Sequence, residues 1–80
     1  MAGEIVNLDD VKLLTQEEFK IGMKVQIYER AGVKSLEKKC PGVIEDIMKG
    51  DEETYGYARG EDGVLYECLS VFSDYSVSAL

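Results

Sequence analysis

The sequence of 80 residues contains no histidine and no tryptophan, one proline and two cysteines. Without histidine the commonest general base of enzymes is missing, and neither cysteine has an imidazole partner that would hold it as a thiolate. No glycine-rich phosphate loop is present, because Gly56, Gly60 and Gly63 lie in a hairpin pattern and not before a helix. We therefore predict a protein that is not an enzyme and that has no metal ion or other cofactor.

Basic side chains are scarce. Nine lysines and arginines stand against sixteen aspartates and glutamates, so the net charge is −7. Nucleic-acid phosphates are bound by clustered lysine and arginine, and direct binding of DNA or RNA is therefore not expected. The charge is uneven: residues 21–41, with five basic and two acidic side chains, carry +3, and residues 42–80, with two basic and nine acidic, carry −7.

Long apolar runs are also missing, since no stretch approaches the roughly 18 residues that a membrane helix needs. The first ten residues, MAGEIVNLDD, are acidic, whereas a signal peptide begins basic and then turns apolar. We expect a cytoplasmic protein without membrane contact. Eighty residues suit one domain with a small core. Cys40 and Cys68 are too few for a disulfide scaffold, so we predict two reduced thiols, with a bridge between them as the alternative.

The first part of the chain predicts one short helix. Residues 4–14 suit either a short strand at Ile5 or a helical turn capped by Asn7, and the pattern does not decide between them. Thr15 and Glu18 have the spacing of a capping box, which indicates a helix of one or two turns that ends before Gly22. Phe19 is expected to anchor this helix in the core.

Alternating apolar residues then predict a series of strands. Residues 23–30 form the first, with Met23, Val25 and Ile27 facing inward and with Lys24, Gln26 and Tyr28 facing outward. Residues 31–41 contain three lysines and the proline, which predicts a long surface loop. Residues 42–48 form the second strand, and its alternation breaks at Glu45 and Asp46, which indicates a bulge.

A charged loop over residues 49–53, in which Gly50 is able to take a positive φ, leads into the third strand at residues 54–59. Residues 60–63 form a tight turn of the Asp-Gly kind into a fourth strand at residues 64–69. This strand is apolar on both faces, so we expect the N-terminal arm to cover it. The tail is expected to turn near Ser73 and Asp74 and to end in an edge strand.

This order of elements resembles the SH3-like small barrels, which include Tudor and KOW modules and many short bacterial or phage proteins. The resemblance covers about residues 19 to 70 and concerns the layout of Gly22, a strand, a long loop, Gly42, the charged loop and the Asp62-Gly63 hairpin. It implies a mainly β fold, a small SH3-like barrel of about five strands with a short N-terminal helical turn. Residues 1–18 would be the arm and the short helix, and residues 19–80 the barrel.

Members of these families bind peptides, methylated side chains, nucleic acid or ribosomal partners, so the layout alone selects no function. The chain also departs from them. It has no tryptophan for a proline-peptide groove, and its acidic balance does not suit a KOW-type RNA contact.

Tyrosines form the first candidate site. Tyr55 and Tyr57 lie two residues apart on one strand and so share a face, and Tyr66 is a possible neighbour across the hairpin. Three tyrosines with acidic groups nearby could form an aromatic cage for a cation. The alternative is that they pack on the sheet as ordinary cross-strand pairs, with each hydroxyl in water.

Acidic residues form the second candidate site, in which Glu45, Asp51, Glu52 and Glu53 could bind Ca²⁺ or a basic protein surface. They lack the regular spacing of a calcium loop, and a merely solvated acidic face is the alternative. Two functions follow. The first is a non-catalytic protein-interaction module that binds through the tyrosine-bearing sheet face or through an edge strand. The second is an acidic, possibly phage-encoded, inhibitor that occupies the basic nucleic-acid-binding groove of a larger enzyme. A homo-oligomer built on edge strands is left open.

Overall fold

The computed structural model describes residues 3–68 and 74–80. Within these ranges the chain is mainly β, with six antiparallel strands and two short 3₁₀ turns. In chain order the elements are β1 (Ile5–Asn7), a 3₁₀ turn (Leu8–Asp10), a second 3₁₀ turn (Gln16–Glu18), β2 (Lys24–Arg30), β3 (Ser35–Lys49), β4 (Thr54–Gly60), β5 (Leu65–Cys68) and β6 (Tyr75–Ala79). The additional strand relative to the sequence prediction is β1.

The strands form one sheet in the order β5-β4-β3-β2-β6, with β1 added beside the first part of β3. Between the described residues of β5 and β6 no ladder closes the sheet. The two end strands nevertheless approach each other, because the rings of Tyr66 on β5 and Tyr75 on β6 make an edge contact with centroids 4.9 Å apart.

Strand β3 shows that the predicted surface loop over residues 31–41 is wrong. Only residues 31–34 turn, and the Ala31 N–H donates to the Ser35 carbonyl at 2.9 Å to close the hairpin. Residues 35–37 pair with β1 on one side, and Leu36 and Glu37 also pair with β2 on the other. Pro41 is tolerated within the strand beside an irregularity of the ladder, and its carbonyl accepts from the Glu61 N–H at 3.0 Å.

Two register shifts bend β3. The first lies opposite Ile27, where one residue of β2 faces two of β3. The second lies between Ile44 and Asp46, so Glu45 is the extra residue against β4. The predicted break of alternation at Glu45 and Asp46 is thus confirmed as a bulge, which bends and twists the strand.

The core lies on the inner side of the sheet. It comprises Leu14, Phe19, Val25, Ile27, Ile44, Ala58, Tyr66, Cys68 and Val77, with Met23 partly buried against them. The predicted inward positions on β2 and the anchoring role of Phe19 are confirmed. Gln26 and Tyr28 alternate with these positions and lie outside the core cluster, as predicted, but they are covered and expose only 6% and 8% of their surface. Each stands between neighbours on β3 and β6, for example Gln26 between Pro41 and Ser78.

Strand β5 alternates, so the prediction that it is covered on both faces is wrong. Tyr66 and Cys68 are buried, whereas Leu65 and Glu67 are exposed. Leu69 lies outside the described residues, as does the start of the predicted tail turn. The N-terminal arm packs elsewhere: β1 pairs with β3, and the Leu14 N–H donates to the carbonyl of Val77 on β6 at 2.8 Å.

Local signals account for the remaining turns. Asn7 ends β1 and caps the first 3₁₀ turn, since its side chain accepts from the Asp9 N–H at 2.8 Å, so both interpretations of residues 4–14 hold in part. The capping box is confirmed, with Glu18 Oε1 accepting from the Thr15 N–H at 2.9 Å. Gly63 adopts φ +84° in the hairpin turn, whereas Gly50 takes no positive φ. No helix among the described residues is long and apolar enough to span a membrane.

Candidate binding face on the outer sheet

The outer side of β3, β4 and β5 presents a continuous face, which we call the tyrosine face. On β4 the small residues Gly56, Ala58 and Gly60 are buried inward, so the alternate side chains point outward. The face consists of Val43, Glu45, Asp46 and Met48 on β3, Tyr55, Tyr57 and Arg59 on β4, Leu65 and Glu67 on β5, and Glu53 at the entry to β4.

Cross-strand pairing orders these side chains in rows. Tyr57 lies directly opposite Asp46 on one side and Glu67 on the other. Tyr55 lies opposite Met48 in the next row. Directly opposed side chains of antiparallel strands have Cβ atoms about 5 Å apart and therefore touch. Tyr57 thus stands between partners on β3 and β5, and Tyr55 stands beside a partner on β3.

Tyr55 and Tyr57 both form hydrogen bonds with carboxylates. The Tyr55 hydroxyl donates to Glu53 at 2.7 Å, and the Tyr57 hydroxyl donates to Glu67 at 3.3 Å. The hydrogen bond to Glu53 raises the pKa of Tyr55, and partial burial followed by the charges of Glu67 and Asp46 raises the pKa of Tyr57. Both rings are half-buried. The phenols therefore sit in a negative electrostatic field.

The third predicted tyrosine is not part of this face. Tyr66 lies opposite Ala58 on the inner side, exposes 9% of its surface and packs its ring against Tyr75. Its hydroxyl donates to Asp62 at 2.6 Å, and this bond raises the pKa of Tyr66 to about 12. The structure thus brings Tyr55 and Tyr57 together and separates Tyr66 from them, so the three-tyrosine cage does not form.

Glu45 is held by Arg59, a residue that the sequence analysis did not select. Arg59 Nε and Nη2 lie 3.0 and 3.2 Å from the two carboxylate oxygens of Glu45, and Arg59 Nη1 donates to the Gly63 carbonyl at 3.0 Å. Side-chain hydrogen bonding by Arg59 is the largest cause of the lowered pKa of Glu45. The sequence already indicated that Arg59 shares the face of the two tyrosines, because Tyr55, Tyr57 and Arg59 occupy every second position of β4.

The acidic turn lies at the end of the tyrosine face. Asp51, Glu52 and Glu53 are exposed in the connection between β3 and β4, and with Tyr55 they border an open pocket of about 380 Å³. Among residues 3–68 and 74–80, no three histidine, cysteine, aspartate or glutamate side chains are grouped as metal ligands. The predicted acidic residues Asp51, Glu52 and Glu53 therefore form a charged border of the tyrosine face.

Exposed apolar side chains complete the face. Val43, Met48 and Leu65 leave 40%, 54% and 44% of their surface in solvent. Val43 and Arg59 also line a shallow groove of about 360 Å³ that extends to Leu80. An apolar and aromatic centre with a charged border is the usual composition of a protein-binding surface.

The cysteines lie away from this face. Both are free thiols, Cys40 half-buried and Cys68 buried. Burial raises the pKa of Cys68 to about 12. A thiol with so high a pKa is unreactive at neutral pH, which suits a packing role.

Comparisons with family models, with curated proteins and with solved structures found no match to the chain.

Proposed function

We propose that the chain is a small non-catalytic protein-interaction module of SH3-like barrel form, which binds a partner protein through the tyrosine face. Support for the barrel comes from the two bulges that bend β3 and from the approach of β5 to β6 at Tyr66 and Tyr75. Strongly bent strands shared between two halves of a sheet are the usual construction of small barrels.

The observation that carries the proposal is the pairing of exposed apolar groups with ordered tyrosines. Met48 is 54% exposed directly opposite Tyr55, whose hydroxyl is fixed by Glu53. Tyrosine gives a large contact area at low cost in side-chain entropy, and binding hot spots are enriched in it. A tyrosine held in place before binding loses little further freedom on binding.

Edge strands are the weaker alternative for docking. The outer edge of β6 already receives the N-terminal arm through the Leu13–Ser78 bridge and the bond from the Leu14 N–H to the Val77 carbonyl. Strand β1 has three residues, which leaves few backbone groups for an added strand.

A non-catalytic role is consistent with the carboxylates. The carboxyl groups of Glu18, Glu45 and Asp62 have lowered pKa values because hydrogen bonds favour their charged forms. A general acid near neutral pH needs the opposite shift, usually by burial in an apolar pocket.

The test compares partner capture by matched variants. The tagged chain, a Tyr55→Thr/Tyr57→Thr variant and an Ile21→Ser/Val33→Ser control are incubated with lysate of the organism that encodes the chain. Threonine keeps the strand preference of β4, and Ile21 and Val33 are exposed positions outside the face. We expect one set of proteins bound by wild type and control and lost from the tyrosine variant. Partners retained by the tyrosine variant, with all chains folded by circular dichroism, would refute the proposal.

The second candidate function is an acidic inhibitor of a nucleic-acid enzyme. It is favoured by the acidic turn, where Asp51, Glu52 and Glu53 are all exposed and extend the negative border of the tyrosine face. Association through such charges weakens with salt, and nucleic acid competes for the same groove. The same capture experiment, repeated with added duplex DNA and at high salt, tests the inhibitor function. Displacement of a nucleic-acid enzyme by DNA supports the inhibitor, and a partner indifferent to DNA and to salt contradicts it.

A further inference from the structure

The tyrosine face already holds one guanidinium group. Arg59 pairs with both carboxylate oxygens of Glu45 at 3.0 and 3.2 Å, in the fork geometry that arginine forms with carboxylates. In the next outward-facing row, Tyr57 lies between Asp46 on β3 and Glu67 on β5, as Arg59 lies between Val43 and Leu65. This second row has carboxylates on both sides of an aromatic ring.

Charge on the face favours a cation. Its acidic members are Glu45, Asp46, Glu53 and Glu67, and Arg59 is its basic member. Once Arg59 is paired with Glu45, three carboxylates remain without a cation from the face itself. Asp46 Oδ1 accepts from the Ile47 N–H at 2.8 Å, and Glu67 accepts from Tyr57. A carboxylate accepts about four hydrogen bonds, so acceptor positions remain on both.

We propose that the tyrosine face binds an arginine-containing extended segment of the partner, with one guanidinium stacked on Tyr57 and paired with Asp46 or Glu67. The inference rests on the proposed function, because it names the group that the interaction module recognises. Arginine is favoured over an ammonium group by shape. Two rings on one strand form an open platform, since Tyr66 lies on the other side of the sheet. A planar guanidinium stacks on such a platform and reaches a carboxylate with its edge.

Spacing makes the segment more specific. Tyr55 and Tyr57 are two residues apart on β4, which is about 6.6 Å along a strand. Side chains two residues apart in an extended partner have the same separation. An Arg-x-Arg segment that runs along β4 would therefore place one guanidinium at Tyr57 and the other at Tyr55. There Glu53, which accepts from the Tyr55 hydroxyl at 2.7 Å, is the carboxylate that pairs with the second guanidinium.

The test is a nuclear magnetic resonance titration of the ¹⁵N-labelled full chain. Three peptides are used, with the sequence Ser-Arg-Ser-Arg-Ser and with both arginines replaced by lysine or by the neutral isostere citrulline. We expect saturable shifts at the amides of residues 46, 55, 57 and 67 with the arginine peptide. The lysine peptide binds several-fold more weakly, and the citrulline peptide gives no saturable shift.

Variants separate stacking from simple charge. Tyr57→Leu keeps an apolar side chain without the aromatic ring and should weaken the arginine peptide roughly 2- to 5-fold, whereas Tyr57→Phe keeps the ring and stays within about 2-fold of wild type. Asp46→Asn/Glu67→Gln should abolish the preference for arginine over lysine. Glu4→Gln/Asp10→Asn makes the same change in net charge at exposed positions outside the face and should leave that preference intact.

Equal affinity for the lysine and arginine peptides, or affinity unchanged in both Tyr57→Leu and Asp46→Asn/Glu67→Gln, overturns the inference. If Tyr57→Leu fails to fold, the arginine-to-lysine preference of the Asp46→Asn/Glu67→Gln variant alone tests the inference. Failure here is distinct from failure of the proposed function. If the arginine peptide does not bind but capture of a partner still requires Tyr55 and Tyr57, the proposed interaction module stands. Only the inference that it recognises arginine is then refuted.

Discussion

The ring of Phe19 lies against the backbone of Gly56, so close that a Cβ built on Gly56 would stand 3.0 Å from Phe19 Cδ2. Phe19 exposes 5% of its surface and joins the core directly after the second 3₁₀ turn. The same turn is tied to β4 by Gln16, whose side chain accepts from the Thr54 N–H at 3.1 Å. The missing side chain at residue 56 thus makes room for the contact that holds the N-terminal part of the chain on β4.

Gly56→Ala should therefore destabilise the protein. The added methyl group overpacks the core against the Phe19 ring, and overpacking typically costs about 1–3 kcal/mol. Urea denaturation followed by circular dichroism measures the change. Gly32→Ala is the matched control, because a Cβ there would lie 3.6 Å from its nearest neighbour, the Ser35 side chain. Equal stability of the two variants would contradict the packing.

Tyr66 should titrate late and couple stability to alkaline pH. The bond to Asp62 is the largest cause that raises the Tyr66 pKa from 10.0 to about 12. Because the folded-state pKa lies above that of the unfolded chain, this stability is fully present below pH 10 and is lost as the pH rises toward 12. Ultraviolet difference titration of the folded chain should show a phenol near 12 that Tyr66→Phe removes. Unchanged titration in that variant would refute the assignment.

The two cysteines should differ in reactivity. Cys68 has a pKa of about 12, so roughly one thiol in ten thousand is ionised at pH 8. Cys40 is half-buried and is expected to react first with a thiol reagent such as dithiobis-nitrobenzoate. Native protein should show one reacting thiol, lost in Cys40→Ser, and a second only after unfolding. Equal rates for both thiols, or a fast phase that survives Cys40→Ser, would show that Cys68 is accessible.

Lys39 should stabilise the pairing of β2 with β3. Glu29 and Glu37 are directly opposed, and Lys39 Nζ lies 2.7 and 3.4 Å from their carboxylates. Lys39→Gln leaves two like charges side by side, which destabilises a strand pair, so we expect a lower melting temperature at low salt. Adding Glu37→Gln to that variant should restore most of the lost melting temperature. A melting temperature unaffected by Lys39→Gln would mean that the ion pairs contribute nothing.

Local sequence signals identified much of the fold. The capping box at Thr15, the alternation of β2 and the broken alternation at Glu45 each involve residues close together in the chain. The first part of β3 was missed because its lysines and Pro41 locally resemble a loop. They pair with β2 across the turn at residues 31–34, and residues 35–37 also pair with β1, about thirty residues earlier in the sequence.

The position of Tyr66 depended on one residue of turn length. A two-residue Asp62-Gly63 turn would place Tyr66 opposite Arg59 and so on the face of Tyr57. The observed loop has three residues, since the Gly60 N–H donates to the Val64 carbonyl at 2.8 Å, and Tyr66 therefore pairs with Ala58. A one-residue shift exchanges the two faces of a strand. The acidic candidates and the other two tyrosines lie where the strand pattern predicted.

The most direct measurement of the central claim is site-specific photo-crosslinking in lysate. A photoreactive phenylalanine derivative replaces Met48 or Leu65 on the tyrosine face, or Val33, which is 88% exposed at the turn between β2 and β3. The account predicts that the same partner protein is crosslinked from residues 48 and 65 and not from residue 33. Crosslinks from residue 33 without any from residues 48 and 65 would show that the partner binds elsewhere and would contradict the account.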